Sequence, residues 1–228
     1  MQKKPIERIT LKTIQTTLLE QFHLEKGIGY TIKQLLFQPR AAIQEYLYED
    51  RLRMIKPSRF VLLTVAIATF ISYQFLPLGD ELLKELHNDP QYDQIPELFR
   101  PGIDQLAIWM KKYFNLVFMS SLPLTSLASF WVFKEANYNY AEHLVLNSYL
   151  FCIQTILYIL STPFITNFEW IAYLQAILTI FYFFYFFTQV FQLSFWNGIG
   201  KSVLVGIISQ VLLAIILLLL FAFMTFVA

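Results

Sequence analysis

The chain has 228 residues, of which 57% are hydrophobic and 18% aromatic, while only 14% are charged. A soluble domain holds about 25% charged and 45–50% apolar residues, so this excess cannot hide in one water-facing core, and an integral membrane protein is expected. The balance of 17 Lys+Arg against 16 Asp+Glu excludes a bulk field for nucleic acid, and a lone cysteine, Cys152, excludes a disulfide framework or a cysteine-based zinc site.

The first 58 residues read as a cytoplasmic, amphipathic or interfacial helical region. They hold no early apolar run of the kind a cleavable signal peptide needs. Leu11, Ile14, Leu18 and Phe22 recur at helical spacing with Leu19 beside them, and Gly27 and Gly29 then break the pattern. Thr31 is placed to cap a short helix carrying Ile32, Leu35 and Leu36. Pro39 opens another, holding Ile43, Tyr46 and Leu47. Such apolar faces suit either the membrane interface or a helical cap packed on a bundle. Arg51, Arg53, Lys56 and Arg59 follow, placed to touch anionic lipid headgroups and to fix topology.

From residue 59 the chain becomes a transmembrane helical domain. A helix needs about 20 apolar residues to cross a bilayer, and five stretches qualify: 60–78, 113–133, 144–165, 170–193 and 202–228, none with a formal charge inside. Backbone groups in lipid must pair within the segment, so these are helices, and the first doubles as a signal anchor. The fold class expected is therefore all-α, a polytopic membrane bundle of about five spans. Pro123 and Pro163 fall within or near the ends of the second and third spans, where each removes a backbone donor. Between the first two spans lies an acidic loop. In it Asp80 can cap a helix bearing Leu82, Leu83 and Leu86, Asn88, Asp89 and Pro90 end that helix, and Leu106, Trp109 and Met110 suit an interface. Residues 1–59 hold 11 Lys+Arg, the loop at 79–112 holds 4, and Lys134 and Lys201 lie in later loops. The basic excess places the N-terminus in the cytoplasm and, with five crossings, the C-terminus on the opposite side.

Intramembrane chemistry usually rests on ionisable residues at depth, and the spans offer uncharged ones instead: Gln74, Asn115, Ser120, Asn147, Gln154, Gln175, Gln189 and Gln210. Their default role is hydrogen bonding between helices. Two small-residue stripes, Gly198–Ser202–Gly206 (continued by Ala214) and Ser121–Thr125–Ser129, allow close helix packing within one chain or between chains. Glu142 and His143, at the start of the third span, form the one candidate functional pair. An imidazole can bind metal or move protons near neutral pH, although neighbours on a helix diverge by about 100°. His23 and His87 are candidates only by count. No catalytic triad, P-loop or zinc-protease signature occurs, so no catalytic residue, metal ligand set or cofactor is assigned.

Several local runs carry a likeness: Arg8-Ile9-Thr10; Thr31, Leu35, Leu36 and Pro39; Tyr46, Arg51 and Pro57; and Tyr140-Ala141-Glu142-His143-Leu144-Val145. Together they resemble a bacterial family of multi-pass membrane proteins known as domain of unknown function 3667. The resemblance implies a bacterial inner-membrane location and no established activity. Members of that family commonly begin with a four-cysteine zinc ribbon, which is lacking here. Tyr149 and Phe151 stand where many have further histidines, and Asp50 stands where a glycine commonly precedes the arginine matching Arg51.

Three functions are compatible with this pattern. The first is a non-enzymatic scaffold, assembly or accessory subunit, packing with itself or with another membrane protein. The second is a small transporter or channel for a neutral or lipid-like solute. The third is an interfacial lipid-acting enzyme using Glu142, His143 and Arg51 or Arg53. Absence of charge in the spans ranks the scaffold first, and a continuous polar cavity would favour the transporter.

Overall fold

A computed structural model describes residues 27–75, 84, 86–165 and 167–227. The stripe Leu11–Phe22, the Arg8-Ile9-Thr10 run, His23 and the Asp80–Leu83 stretch lie outside the described residues. The described residues form helices joined by short turns, with no strand among them. Two short helices, α1 (Ile28–Phe37) and α2 (Pro39–Gln44), run into a π-helical turn at Glu45–Glu49. Then come α3 (Pro57–Phe75), α4 (Arg100–Lys112), α5 (Phe114–Val132), α6 (Tyr140–Ile165), α7 (Trp170–Val190) and α8 (Phe195–Val227). Four of these, α3, α6, α7 and most of α8, are long and apolar enough to cross a membrane. The protein is thus an all-α polytopic membrane bundle. The second stretch expected to cross, 113–133, is the 19-residue helix α5.

Three of the helices, α3, α6 and α8, begin earlier than hydropathy alone places them. α8 starts at Phe195, seven residues before the expected 202, and α6 at Tyr140 rather than 144. The start of α6 has a local cause. The Asn139 side chain accepts from the Glu142 backbone N–H at 3.0 Å, and the Glu142 carboxylate accepts from the Asn139 N–H at 2.8 Å. That reciprocal arrangement satisfies two donors that a helix start leaves open, so polar residues begin a helix whose apolar run comes one turn later. Pro57 opens α3 and Pro39 opens α2, where a fixed φ and a missing N–H cost nothing.

One expected cap is corrected. Thr31 does not start a helix: α1 already runs from Ile28, Gly29 lies inside it, and Thr31 is fully buried. Its hydroxyl accepts from the Ile55 backbone N–H at 3.1 Å. The residue therefore ties α1 to the segment entering α3 rather than closing its own first turn.

α6 is the central helix. It packs beside α3 on one side and against α5 and α7 on the others, with α8 closing the space between α5 and α7. Its middle turns, Leu146–Ile153, are all buried. Along α3 it meets Thr64 through Cys152 and Ser72 through Tyr158. α1 and α2 cap one end of this bundle. Leu35, Ala42 and Ile43 have no exposed surface, and Tyr182 of α7 donates to the Leu35 carbonyl at 3.1 Å. Tyr149 of α6 donates to the Ile55 carbonyl at 2.8 Å. The short helices of the N-terminal region are thus a packed cap, although Phe37 and Leu52 remain exposed on it. At the other end α4 lies on α8: Phe99 meets Phe221, and Gly102 faces Thr225 so closely that any Cβ would overlap its hydroxyl.

Candidate functional site

The two small-residue stripes face each other inside the chain. Ser121 and Thr125 of α5 and Ser202 and Gly206 of α8 line one cavity of about 450 Å³, which α6 and α7 complete. Asn147 and Gln154 come from α6, Thr179 from α7, and Ser209 and Gln210 from α8. Among the described residues, no Asp, Glu, Lys or Arg lines it. Small side chains on α5 and α8 leave the volume, and the amides of α6 and hydroxyls of three helices give it hydrogen-bonding capacity. Of the polar residues picked out in the spans, Asn147, Gln154 and Gln210 meet here. Gln74 and Gln189 are exposed on the bundle surface instead. Thr179 was not singled out from sequence because it sits in an unbroken apolar and aromatic run.

Gly198 belongs to the same stripe but does different work. A Cβ there would overlap Thr188 Oγ1 of α7, whereas nothing lies within 4 Å of a Cβ at Gly206. The first glycine permits contact between α7 and α8; the second leaves space.

His143 closes one end of this region. It is fully buried, with its Nδ1 2.9 Å from Ser129 Oγ. Asn147 Nδ2 donates to Ser129 Oγ at 2.7 Å and to the His143 carbonyl at 2.8 Å. Ser129 Oγ lies 3.0 Å from the Ser126 carbonyl. A hydroxyl has one proton and two acceptor positions. If that proton goes to Ser126, the serine accepts from both Asn147 and His143, which assigns the imidazole proton to Nδ1. Phe191 stacks on the ring at 5.8 Å, and Phe130 and Tyr138 meet it edge-on. The histidine is held by a serine, an asparagine and aromatics, with no group of three His, Cys, Asp or Glu among the described residues that could hold a metal ion.

Two buried atoms at the cavity wall have no partner: Asn147 Oδ1 and Ser202 Oγ. An unmade buried hydrogen bond costs about 1–3 kcal/mol, and both residues stand in the cavity wall, so a side-chain rotation that turns either atom inward would let it meet water or a ligand with polar hydrogens. Asn147→Leu removes the amide's two donated bonds together with its free oxygen. We expect it to lower unfolding stability by about 1–3 kcal/mol, read as a drop in the thermal transition of the detergent-solubilised protein. Equal or greater stability would mean that the cavity is dry.

Glu142 points elsewhere, as the helical divergence requires. Besides its capping bond it accepts from Tyr48 Oη at 3.1 Å, and it lines a second cavity of about 310 Å³ together with Arg51, Tyr46 and Asn139. Desolvation, with a smaller contribution from the Glu142 hydrogen bond, pushes the Tyr48 phenol up to about 12, so it remains a donor throughout the physiological range. Arg51 and Glu142 therefore line one cavity, while His143 turns into the core against Ser129 and Phe191. Arg53 is paired within the cap: it meets Glu45 at 3.1 Å and lies over the Tyr30 ring, whose hydroxyl donates to the same carboxylate. Lys56 and Arg59 are exposed. Lys201 bridges Glu135 at 2.9 Å and holds that carboxyl below its ordinary range, tying the α5–α6 connection to the start of α8.

Residues 25–69 match a family model described as "Protein of unknown function (DUF3667)". The match covers the cap and most of α3. The Tyr140–Val145 run, the cavity and the His143 cluster lie outside it. No curated protein matches the chain, and no solved structure does.

Proposed function

We propose that this protein is a small transporter or channel for an uncharged solute, polar or lipid-like, held in the cavity between α5, α6, α7 and α8. The observation that carries the reading is the cavity's lining. Eight residues with hydroxyl or amide groups surround about 450 Å³, none of the lining residues is charged, and two of the polar atoms have no protein partner. In low-dielectric surroundings an unpaired polar atom favours a ligand that supplies the missing hydrogen bond. An ion would find no countercharge there to offset its desolvation.

One part of the motive for a scaffold, the small-residue stripes, is taken up largely within the chain, where Ser121, Thr125, Ser202 and Gly206 line the cavity. For a lipid-acting enzyme, Arg51 and Glu142 line one cavity while His143 is buried against Ser129, which supports the solute reading over that one. Stopped-flow reswelling of proteoliposomes tests the proposal. Glycerol is expected to enter vesicles holding the protein faster than protein-free ones, with potassium glutamate excluded from both. Equal glycerol rates, from protein that co-purifies with a stoichiometric membrane partner, would return the scaffold to first place.

For orientation we propose that the cap end faces the cytoplasm of a bacterial inner membrane. Arg40, Arg51, Arg53, Lys56 and Arg59 lie in the cap and at the start of α3, and Lys134 and Lys201 in the α5–α6 connection and the early turns of α8, the distribution that retention of positive charge on the cytoplasmic side requires. Cys152 is fully buried, so single added cysteines can be read against it. An impermeant thiol reagent applied to intact cells should label Asp93→Cys, in the connection between α3 and α4, and spare Glu135→Cys until the cells are opened. The reverse pattern would invert the assignment.

A further inference from the structure

The second cavity carries a proposal of its own, independent of the solute reading. It sits where the cap meets the first turn of α6, close before the start of α3. That is the depth at which lipid headgroups meet a spanning helix. Two opposite charges line it, Arg51 and Glu142, and they do not form an ion pair with each other. Each is held by its own surroundings instead. Arg51 Nε and Nη2 donate to the carbonyls of Tyr46 and Leu47, each at 3.3 Å. The Glu142 oxygens accept from Tyr48 Oη and from the Asn139 N–H.

Neither group is used up. A guanidinium has five N–H donors, and a carboxylate has about four lone-pair positions. Arg51 keeps three donors, and Glu142 keeps acceptor capacity on both oxygens. A bare anion entering this space would gain the guanidinium but meet the carboxylate. A bare cation would meet the reverse. A molecule with a phosphate at one end and a primary ammonium a few bonds away can satisfy both charges at once. Its ammonium would donate to Glu142, while the Tyr46 ring, over which the Arg51 guanidinium lies at 6.0 Å, helps to hold the arginine in place.

We infer that Arg51 and Glu142 form a site for a phosphoethanolamine headgroup, supplied by a phospholipid of the leaflet at the cap end. A quaternary choline would fit less well, because it has no N–H to donate to the carboxylate. The site differs from general attraction between basic residues and an anionic surface, in which Glu142 would count against binding.

The test uses the full chain, purified in mild detergent, stripped of lipid and offered equal amounts of phosphatidylethanolamine and phosphatidylglycerol with matched acyl chains. Retained lipid is quantified by mass spectrometry. Wild type should keep phosphatidylethanolamine in roughly tenfold preference, the scale of one charge-assisted hydrogen bond. Glu142→Gln, which preserves an acceptor for the Asn139 N–H, should bring that preference close to unity. Arg51→Gln should lose both lipids, and Arg51→Lys, which keeps the charge, should retain part of the binding. Unchanged thermal transitions in these variants separate loss of the site from loss of the fold. Equal retention of the two lipids by wild type, or an unaltered preference in Glu142→Gln, overturns the inference. Free phosphoethanolamine bound without any lipid retention overturns the lipid as its source.

Discussion

Gly198→Leu should disrupt the bundle. Thr188 Oγ1 already occupies the place of a Cβ at residue 198, and Thr188 Cβ and Cγ2 stand 3.0 Å from it. Threonine is β-branched and stiff at χ1, so it cannot swing aside as the end of a long side chain could. α7 and α8 would have to separate, which opens the wall of the cavity and weakens the aromatic packing at the end of α7. Overpacking of this kind costs about 1–3 kcal/mol, occasionally more, and we expect about 3 kcal/mol here. The measurement is loss of the folded fraction in a graded detergent-denaturation series. Thr188→Ala should restore much of the loss, because the two residues are in contact and their effects couple. A Gly198→Leu variant as stable as wild type would show that the helices do not meet at this glycine.

Gly206→Phe, two helical turns further along the same stripe, should leave the protein folded and stop solute movement. No atom lies within 4 Å of a Cβ there, and the residue lines the cavity. A phenyl ring would enter space that is otherwise empty of protein. Replacing a helical glycine also removes a backbone entropy cost of up to about 1 kcal/mol, so stability should hold or rise. Glycerol entry into proteoliposomes should fall to the rate of protein-free vesicles. If Gly206→Phe conducts as wild type does, the solute does not pass through this cavity and the proposed function fails. The two substitutions are alike in chemistry and nearly alike in sequence context, and only the three-dimensional surroundings make their outcomes diverge.

That contrast marks the limit of what the chain reveals when read residue by residue. Span positions were legible because apolar length is a property of a segment taken alone: 170–193 against Trp170–Val190, and 113–133 against Phe114–Val132. The start of α8 was not, since Phe195, Trp196 and Asn197 precede the glycine and lysine that interrupt the apolar run. A helix can continue through polar residues at an interface where a hydropathy reading stops. Thr31 looked like a cap because a threonine before an apolar turn commonly is one, and its bond to Ile55 is a tertiary fact invisible in local spacing. The stripes on α5 and α8 were visible as stripes. That they line one cavity depends on antiparallel packing of helices some 80 residues apart in the chain. His143 and Glu142 were singled out together, yet the helical turn between neighbours turns one into the core beside Ser129 and the other toward Tyr48 of the cap, both on other elements.

The length of α8 has a consequence for the surrounding lipid. Its 33 residues extend about 50 Å at the helical rise, against roughly 30 Å of hydrocarbon. Tilt absorbs part of that mismatch. α4 lies against the last turns, with Gly102 and Phe99 against Thr225 and Phe221, and covers one side of them, while Leu219 and Phe223 remain exposed on the other. In a thin bilayer that clasp must cover more of the helix, and in a thick one less. The protein is thereby coupled to membrane thickness at the end remote from its cap, and acyl-chain length becomes a variable that should alter how firmly α4 is seated.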